Sequence, residues 1–239
     1  MTQPFLSIII PAHNEETRLP QTLEQVVLFA ANQPYETEVL VIENASRDRT
    51  LEVGREFASR HPLIQVWHED LPGKGRAVQK GMLQAQGTYR FFADADFSMP
   101  AAEIPRFLPP KVDVPIAIAS REAPGAVRYH EPPYRHLTGR VFNGLIRALV
   151  LPALQDTQCG FKMFRADVAA DLFPRQTLMG WSFDVELLYI ASRRGYPILE
   201  IPIPWYFNPE SKISVFRDSW RMFTDLIAIR RNGRQGLYD

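Results

Sequence analysis

Two aspartates one residue apart, Asp94 and Asp96, follow the apolar run YRFFA at 89–93. In extended backbone, residues i and i+2 project to the same side, so both carboxylates converge on one site, and the small Ala95 permits close approach. With no cation close by in sequence, the pair repels itself. A hard divalent cation shared with a phosphate relieves that repulsion, and Mg2+ or Mn2+ is the expected species. Asp94 suits contact with a sugar or ribose and Asp96 suits metal ligation; a solvated loop pair is the plain alternative.

Other polar groups follow apolar runs in the same way. Glu43 closes VLVIE at 39–43, where a carboxylate can accept two hydrogen bonds from a ribose diol. Its neighbours Asn44, Ser46 and Asp48 read as turn and cap residues, with Ser46 capping the following helix. Pro11 and Ala12 end the first apolar run, where backbone groups can meet a base or ribose. Glu15 either binds nucleotide or favours a helix N-terminus through the dipole. The segment LPGKGRA at 71–77 lacks the spacing of a P-loop. Its Gly73 and Gly75 permit close ligand approach, with Lys74 near phosphate or structural carboxylates. Cys159 has no local histidine partner and reads as small packing. Asp184 begins a helix whose dipole keeps it ionised, while Glu186 points elsewhere, one facing an acceptor and the other holding a loop. Trp181 stacks on a sugar or acceptor chain, or packs in the core.

These residues need a scaffold. Strands are expected over 6–10, 38–42, 64–67, 89–93 and 115–119. Leu19, Leu23, Val26, Val27 and Ala30 form one helical face between the first two, and helices over 51–58 and 75–86 follow. Apolar strands alternating with helices predict an α/β fold with a mostly parallel sheet covered on both faces, ligands lying beyond the strands' carboxyl ends. Five prolines in 100–115 exclude a long helix there. The second half reads as a helix over 135–150, a polar turn at 156–160, a strand at 161–164, helices at 167–173 and 182–194, a strand at 198–203 and a last amphipathic helix at 215–231. No linker divides the halves, so one domain is expected: a nucleotide-sugar half (1–98), an acceptor-side half (99–210) and a C-terminal amphipathic helix (211–239).

The 239 residues carry 27 Lys+Arg against 27 Asp+Glu, and this balance argues against a general nucleic-acid binder. At 46% hydrophobic the chain builds a core, and its single cysteine excludes an internal disulfide framework or a Cys-rich metal site. The apolar stretches at 5–10 and 144–154 are too short or too interrupted for a signal peptide or a spanning helix. A cytoplasmic protein is expected, with peripheral membrane attachment through 212–234, whose basic residues flank Trp and Phe.

The chain resembles family 2 glycosyltransferases of the GT-A, Rossmann-like fold, and among them the polyprenyl-phosphate sugar transferases, most closely the dolichyl-phosphate β-glucosyltransferase branch. The resemblance rests on SIIIPAHNEETRL (7–19), VLVIENASRDRT (39–50), GKGRAVQKGM (73–82), FFADADFS (91–98), DTQCGFKMF (156–164), GWSFDVELL (180–188) and SKISVFRDSWRMFTDL (211–226). It implies an inverting, Mg2+- or Mn2+-dependent transfer of a hexose from a nucleotide sugar, UDP-glucose before GDP-mannose, to a polyprenyl or dolichyl phosphate. Pro11, Ala12, Glu15 and Glu43 would line base and ribose, and Asp94 and Asp96 would serve donor and metal. Arg121, Gln158 and Lys162 would meet diphosphate or acceptor phosphate, and Asp156 and Asp184 would stand near the reacting centre. A soluble or glycan hydroxyl acceptor is the alternative, needing one of those two aspartates as base. A metal-dependent sugar nucleotidyltransferase and a non-enzymatic membrane-surface protein are the rivals from other classes.

Overall fold

A computed structural model describes residues 3–207 and 215–239, the side chains of 215–220 excepted. The apolar, β-branched runs form β1 (Leu6–Ala12), β2 (Thr37–Asn44), β3 (Ile64–Glu69), β4 (Tyr89–Ala93) and β5 (Ile116–Ser120), each end within two residues of expectation. Helices α1 (Leu19–Ala31), α2 (Thr50–Arg60) and α3 (Lys74–Gln84) connect the first four. The proline-rich stretch holds a short 3-10 helix, Ala101–Phe107. There follow β6 (Val127–Tyr129), α4 (Pro133–Leu149), β7 (Phe161–Arg165), α5 (Ala166–Leu172), α6 (Phe183–Arg193), β8 (Ile198–Pro202), β9 (Pro204–Tyr206) and α7 (Val215–Arg234).

Seven strands make the central sheet in the order β3-β2-β1-β4-β7-β5-β8, and both sequence halves contribute to it. Alternation along β1 sends Ile8 and Ile10 to one face, where Leu23 and Val26 of α1 and Phe57 of α2 cover them. Ile9 goes to the other face, against Val78 and Met82 of α3, with α5 and α6 continuing that layer. Each such side chain, fully buried, contributes about 1.5–3 kcal/mol. On α1 it is Phe29, not Ala30, that completes the buried stripe. A separate two-stranded sheet, β6 with β9, was not expected; each strand has only three residues, too few to show a pattern.

The expected parallel sheet is parallel except at β7, which runs antiparallel to both β4 and β5. That inversion matters for chemistry. It brings the 156–160 turn to the same edge as the carboxyl ends of β1, β2, β4 and β5. Ala93 pairs with Phe161, and the next amide, Asp94 N–H, donates to the Gly160 carbonyl at 3.0 Å.

Two local expectations are corrected. Ser46 does not cap α2, which starts after Arg49 without a side-chain cap; its hydroxyl instead accepts from Asn14 N–H at 3.0 Å, tying the tips of β1 and β2. Asp94 and Asp96 do not sit on extended backbone either. The strand ends at Ala93, and a tight turn closed by Phe97 N–H on the Asp94 carbonyl (3.1 Å) presents both carboxylates.

Candidate active site

Two adjoining cavities, of about 710 and 290 Å³, open along this edge and share four residues: Lys74, Asp94, Asp96 and Trp181. The larger also takes Pro11, Ala12 and Glu15 from the end of β1. The smaller takes Arg121, Gln158 and Asp184. Ten of the thirteen sequence-predicted site residues therefore line one continuous space.

At the junction the carboxylates are mostly paired. Lys74 Nζ lies 2.5 Å from Asp94 Oδ1 and 5.3 Å from the Trp181 ring. Burial works against this ammonium, but the charges of Asp94 and Asp184 outweigh it and hold its pKa above the ordinary lysine value. The cation missing from the local sequence thus comes from the first turn of α3. Gly73 precedes it with φ +149°, a backbone that favours glycine. The glycines of this loop were expected to admit a ligand; they admit protein. A Cβ on Gly73 would stand 2.4 Å from the Met179 carbonyl oxygen, and one on Gly75 would stand 2.6 Å from Phe183 Cβ. Gly160 does face the site: a Cβ there would fall 1.9 Å from Asp94 Oδ2.

Asp96 differs from its neighbours. Its Oδ1 accepts Ser98 N–H at 3.1 Å, and among the described residues it has no ion pair. Burial, then the charge of Asp94, pushes its pKa up. A divalent cation would reverse that penalty. Among the described residues no group of three or more His, Cys, Asp and Glu forms a protein-built cage. Two carboxylates that leave the other positions to phosphate oxygens fit Mg2+ or Mn2+.

Three predicted residues stand behind the cavities instead of lining them. Asp156 is fully buried and grips Arg121 with both oxygens, Nε at 2.8 Å and NH2 at 3.0 Å, while the Arg121 amide donates at 2.9 Å. Burial alone would raise its pKa; the Arg121 charge and hydrogen bonds outweigh that and bring it to about 2. Such a carboxylate is a poor base, and its geometry is that of a holder for the guanidinium. Lys162, expected at a phosphate, is 1% exposed; it donates to the Cys159 carbonyl at 2.5 Å and lies 3.1 Å from Asp184 Oδ1. Glu43, expected at a ribose, is buried: Oε1 accepts Ser46 N–H at 2.6 Å, and Oε2 meets His68, its register partner on β3. It shapes the loop beside the cavity.

Asp184 does line the smaller cavity, in the first turn of α6. The helix dipole was expected to keep it ionised. Burial outweighs the dipole and the charges of Lys162 and Lys74, and its pKa is raised. Glu186 is the loop-holding partner foreseen for it, accepting Thr177 N–H at 3.0 Å and Leu178 N–H at 2.7 Å. Trp181 is 41% exposed, so it belongs to the rim and not the core. Cys159 is buried and burial pushes its thiol up to about 12, as packing requires. Glu15 holds Arg18 through both oxygens, at 2.6 and 2.7 Å, and both residues line the larger cavity.

Sequence inspection missed Arg128 and Arg135 at the smaller cavity, and Thr177 and Arg221 at the larger. Arg128 lies 5.7 Å from the Trp205 ring and Arg135 lies 5.3 Å from Phe207, contacts that the unforeseen β6–β9 sheet creates. In the segment 212–234, residues 212–214 and the side chains of Val215, Phe216, Arg217, Asp218 and Trp220 lie outside the described residues. The described part turns inward: Leu226 and Ile229 are buried in the core, and Asp225 accepts from Ser182 Oγ at 2.6 Å. Among the described residues no helix is long and apolar enough to cross a membrane.

The model of the family described as "Glycosyl transferase family 2" matches residues 7–173. A dolichyl-phosphate beta-glucosyltransferase of Trichomonas vaginalis is 31% identical, covering 99% of this chain and 74% of its own length. The Drosophila melanogaster enzyme of the same name is 33% identical over 94% of this chain and 74% of its own. Among solved structures, glucosyl-3-phosphoglycerate synthase of Mycobacterium tuberculosis superposes with a TM-score of 0.70 at 16% identity, covering 95% of this chain and 80% of its own, and shares the fold. The chain belongs to glycosyl transferase family 2 and is a glycosyltransferase.

Proposed function

We propose that the protein transfers a hexose from a nucleoside-diphosphate sugar to a polyprenyl phosphate, inverting the anomeric centre. The larger cavity would take the donor, with Pro11, Ala12 and Glu15 beside the nucleoside and Asp94 beside the sugar. Asp96, with Asp94, would hold a divalent cation, which supplies counter-charge for the departing diphosphate. Lys74 adds a fixed ammonium at the junction of the two cavities, where negative charge accumulates as the sugar leaves. Arg121, held by Asp156, stands with Arg128 and Arg135 where an acceptor phosphate would sit. A phosphate oxygen is already ionised near neutral pH, so the acceptor requires no strong base, and Asp184 would orient it or stabilise positive character at the anomeric carbon.

The observation that carries the lipid acceptor is α4. One side of this helix (Arg135, Phe142 and Asn143) lines the smaller cavity. The other side exposes Tyr134, Leu137, Val141 and Leu145, the first three more than 60% accessible. From 132 to 155 the chain has arginines at 135, 140 and 147 and no Asp or Glu. A phosphate in the cavity would therefore leave its chain beside an apolar, cationic surface suited to an anionic bilayer. The names of the curated relatives point to the same acceptor class.

A soluble acceptor with a hydroxyl nucleophile is the second reading. The raised pKa of Asp184, inside the smaller cavity, favours it, since a buried carboxylate of that kind suits proton abstraction. The fold is shared with a synthase solved with Mn2+, UDP-glucose and phosphoglyceric acid. The two readings separate in one experiment. The protein is incubated with labelled UDP-glucose or GDP-mannose and Mg2+ or Mn2+, offered polyprenyl phosphate in anionic vesicles or phosphoglyceric acid in solution. Label that becomes chloroform-extractable, and falls when Leu137→Glu and Val141→Glu are combined, supports the lipid acceptor. Label confined to the aqueous phase overturns it.

A further inference from the structure

The wall of the larger cavity formed by residues 177–181 has no regular secondary structure, so something outside it must fix its shape. Three of its restraints converge on one carboxylate. Glu186 takes Thr177 N–H and Leu178 N–H on Oε2 and the Thr177 hydroxyl on Oε1 at 2.5 Å. This carboxylate is fully buried in the first turn of α6, and among the described residues no ammonium or guanidinium pairs with it. Hydrogen-bond donors must therefore satisfy it, and each one fixes the direction of its oxygens.

The fourth donor comes from far along the chain. Tyr238, beyond α7 and fully buried, donates its hydroxyl to Glu186 Oε1 at 2.7 Å. Asn232 Nδ2 reaches both the Tyr238 hydroxyl and Thr177 Oγ1, at 3.3 Å each. The Tyr238 ring is fixed edge-on to Tyr189 of α6, 6.1 Å between centroids. None of Tyr238, Asn232 and Glu186 lines either cavity.

We infer that Tyr238 is a positioning residue for the donor, acting through Glu186 on the 177–181 wall. Its hydroxyl shares Oε1 with Thr177, so removing it frees that carboxylate to turn, and Thr177 and Leu178 follow. An apolar core contact alone would not require the hydroxyl, and the partner it meets is the group that shapes the cavity. The inference rests on the larger cavity being the donor site.

The test compares wild type with Tyr238→Phe and Glu186→Gln in the full chain. Phe107→Leu, on the opposite face of the sheet, serves as a control for stability loss. Binding of UDP and of GDP, each with Mn2+, is measured by calorimetry, and exchange of the Thr177 and Leu178 amides is followed by mass spectrometry. A single neutral-to-charged hydrogen bond predicts a roughly 5- to 20-fold weaker nucleotide affinity in Tyr238→Phe. The donor KM should rise accordingly, the acceptor KM and kcat should change less than about twofold, and exchange should quicken at those two amides. In Phe107→Leu the melting temperature should fall with affinity unchanged. Tyr238→Phe and Glu186→Gln binding like wild type, with the two amides equally protected, would overturn the inference. If wild type binds neither nucleotide, the donor assignment fails instead, and the amide exchange still decides whether Tyr238 sets the wall.

Discussion

Gly160→Ala isolates the geometry of Asp94 from the stability of the fold. The added Cβ would lie 1.9 Å from Asp94 Oδ2 and 2.2 Å from its Cγ. Ordinary van der Waals separation exceeds that by ~1.5 Å or more, so the carboxylate must retreat by about that distance. The backbone of Gly160 lies outside the left-handed region, so alanine brings no conformational strain, and the obstructing atoms end a side chain able to rotate. Stability should therefore change by no more than about 1 kcal/mol. Activity should respond differently. The retreat breaks the 2.5 Å contact with Lys74 and moves the group shared by both cavities. A misplacement of about 1 Å costs roughly 100-fold in rate, so kcat/KM should fall at least that far. Gly144→Ala, whose Cβ would meet nothing within 4 Å, is the matched control and should keep full activity. Steady-state transfer rates and thermal melts of both variants decide the matter. Gly160→Ala within threefold of wild type in kcat/KM, or inactive only because it is unfolded, would refute the role given to Asp94.

Two further outcomes follow from the buried aspartates. The pKa of Asp156 is lower in the folded protein than in the unfolded chain, so its contribution is complete above about pH 4 and disappears as the pH falls through 2; urea titrations should show a loss on the order of 2 kcal/mol there. Asp156→Asn leaves Arg121 buried and uncompensated, and should lower stability at neutral pH by about 3–5 kcal/mol in the same assay. For Asp184→Asn, transfer to polyprenyl phosphate should fall by no more than about tenfold, with an unchanged pH–rate profile. A loss of 10²–10⁴-fold together with disappearance of an acid limb is the general-base signature and would favour the hydroxyl acceptor.

The strands of the first half were legible because burial on both faces leaves little room for polar residues; the runs at 6–10 and 38–42 are apolar from end to end. Strand direction was not. FKMFR at 161–165 carries nothing in its five residues that separates antiparallel from parallel pairing, yet that choice decides whether Gly160 or Arg165 adjoins Asp94. Chemical type was legible before chemical role. Asp156, Lys162 and Glu43 are charged residues at the correct edge of the sheet, but each sits one layer beneath the cavity surface, and depth depends on partners remote in sequence. Arg121 joins Asp156 across 35 positions, and His68 reaches Glu43 across 25. The glycines at 73 and 75 show the same limit. A glycine reports that something approaches closely, and only the fold shows that here it is the 178–183 segment and not a ligand.

Those depths have an electrostatic logic. Three aspartates meet where the cavities join, and two of them already face an ammonium: Asp94 has Lys74, and Asp184 has Lys162. Asp156, one layer behind, has Arg121. Protein cations thus compensate the carboxylates that must keep a fixed position. Asp96 is left with one backbone amide, and burial together with the neighbouring Asp94 charge resists its ionisation. A fourth lysine or arginine here would stabilise the empty site and obstruct the diphosphate. Leaving one buried carboxylate short of positive charge makes binding conditional: cation and diphosphate each relieve a repulsion that the other alone would leave, so the two should bind cooperatively. Asp96→Asn should then abolish the dependence of nucleotide affinity on Mn2+ while leaving weak metal-independent binding, and equal Mn2+ enhancement in variant and wild type would show that the cation is held elsewhere.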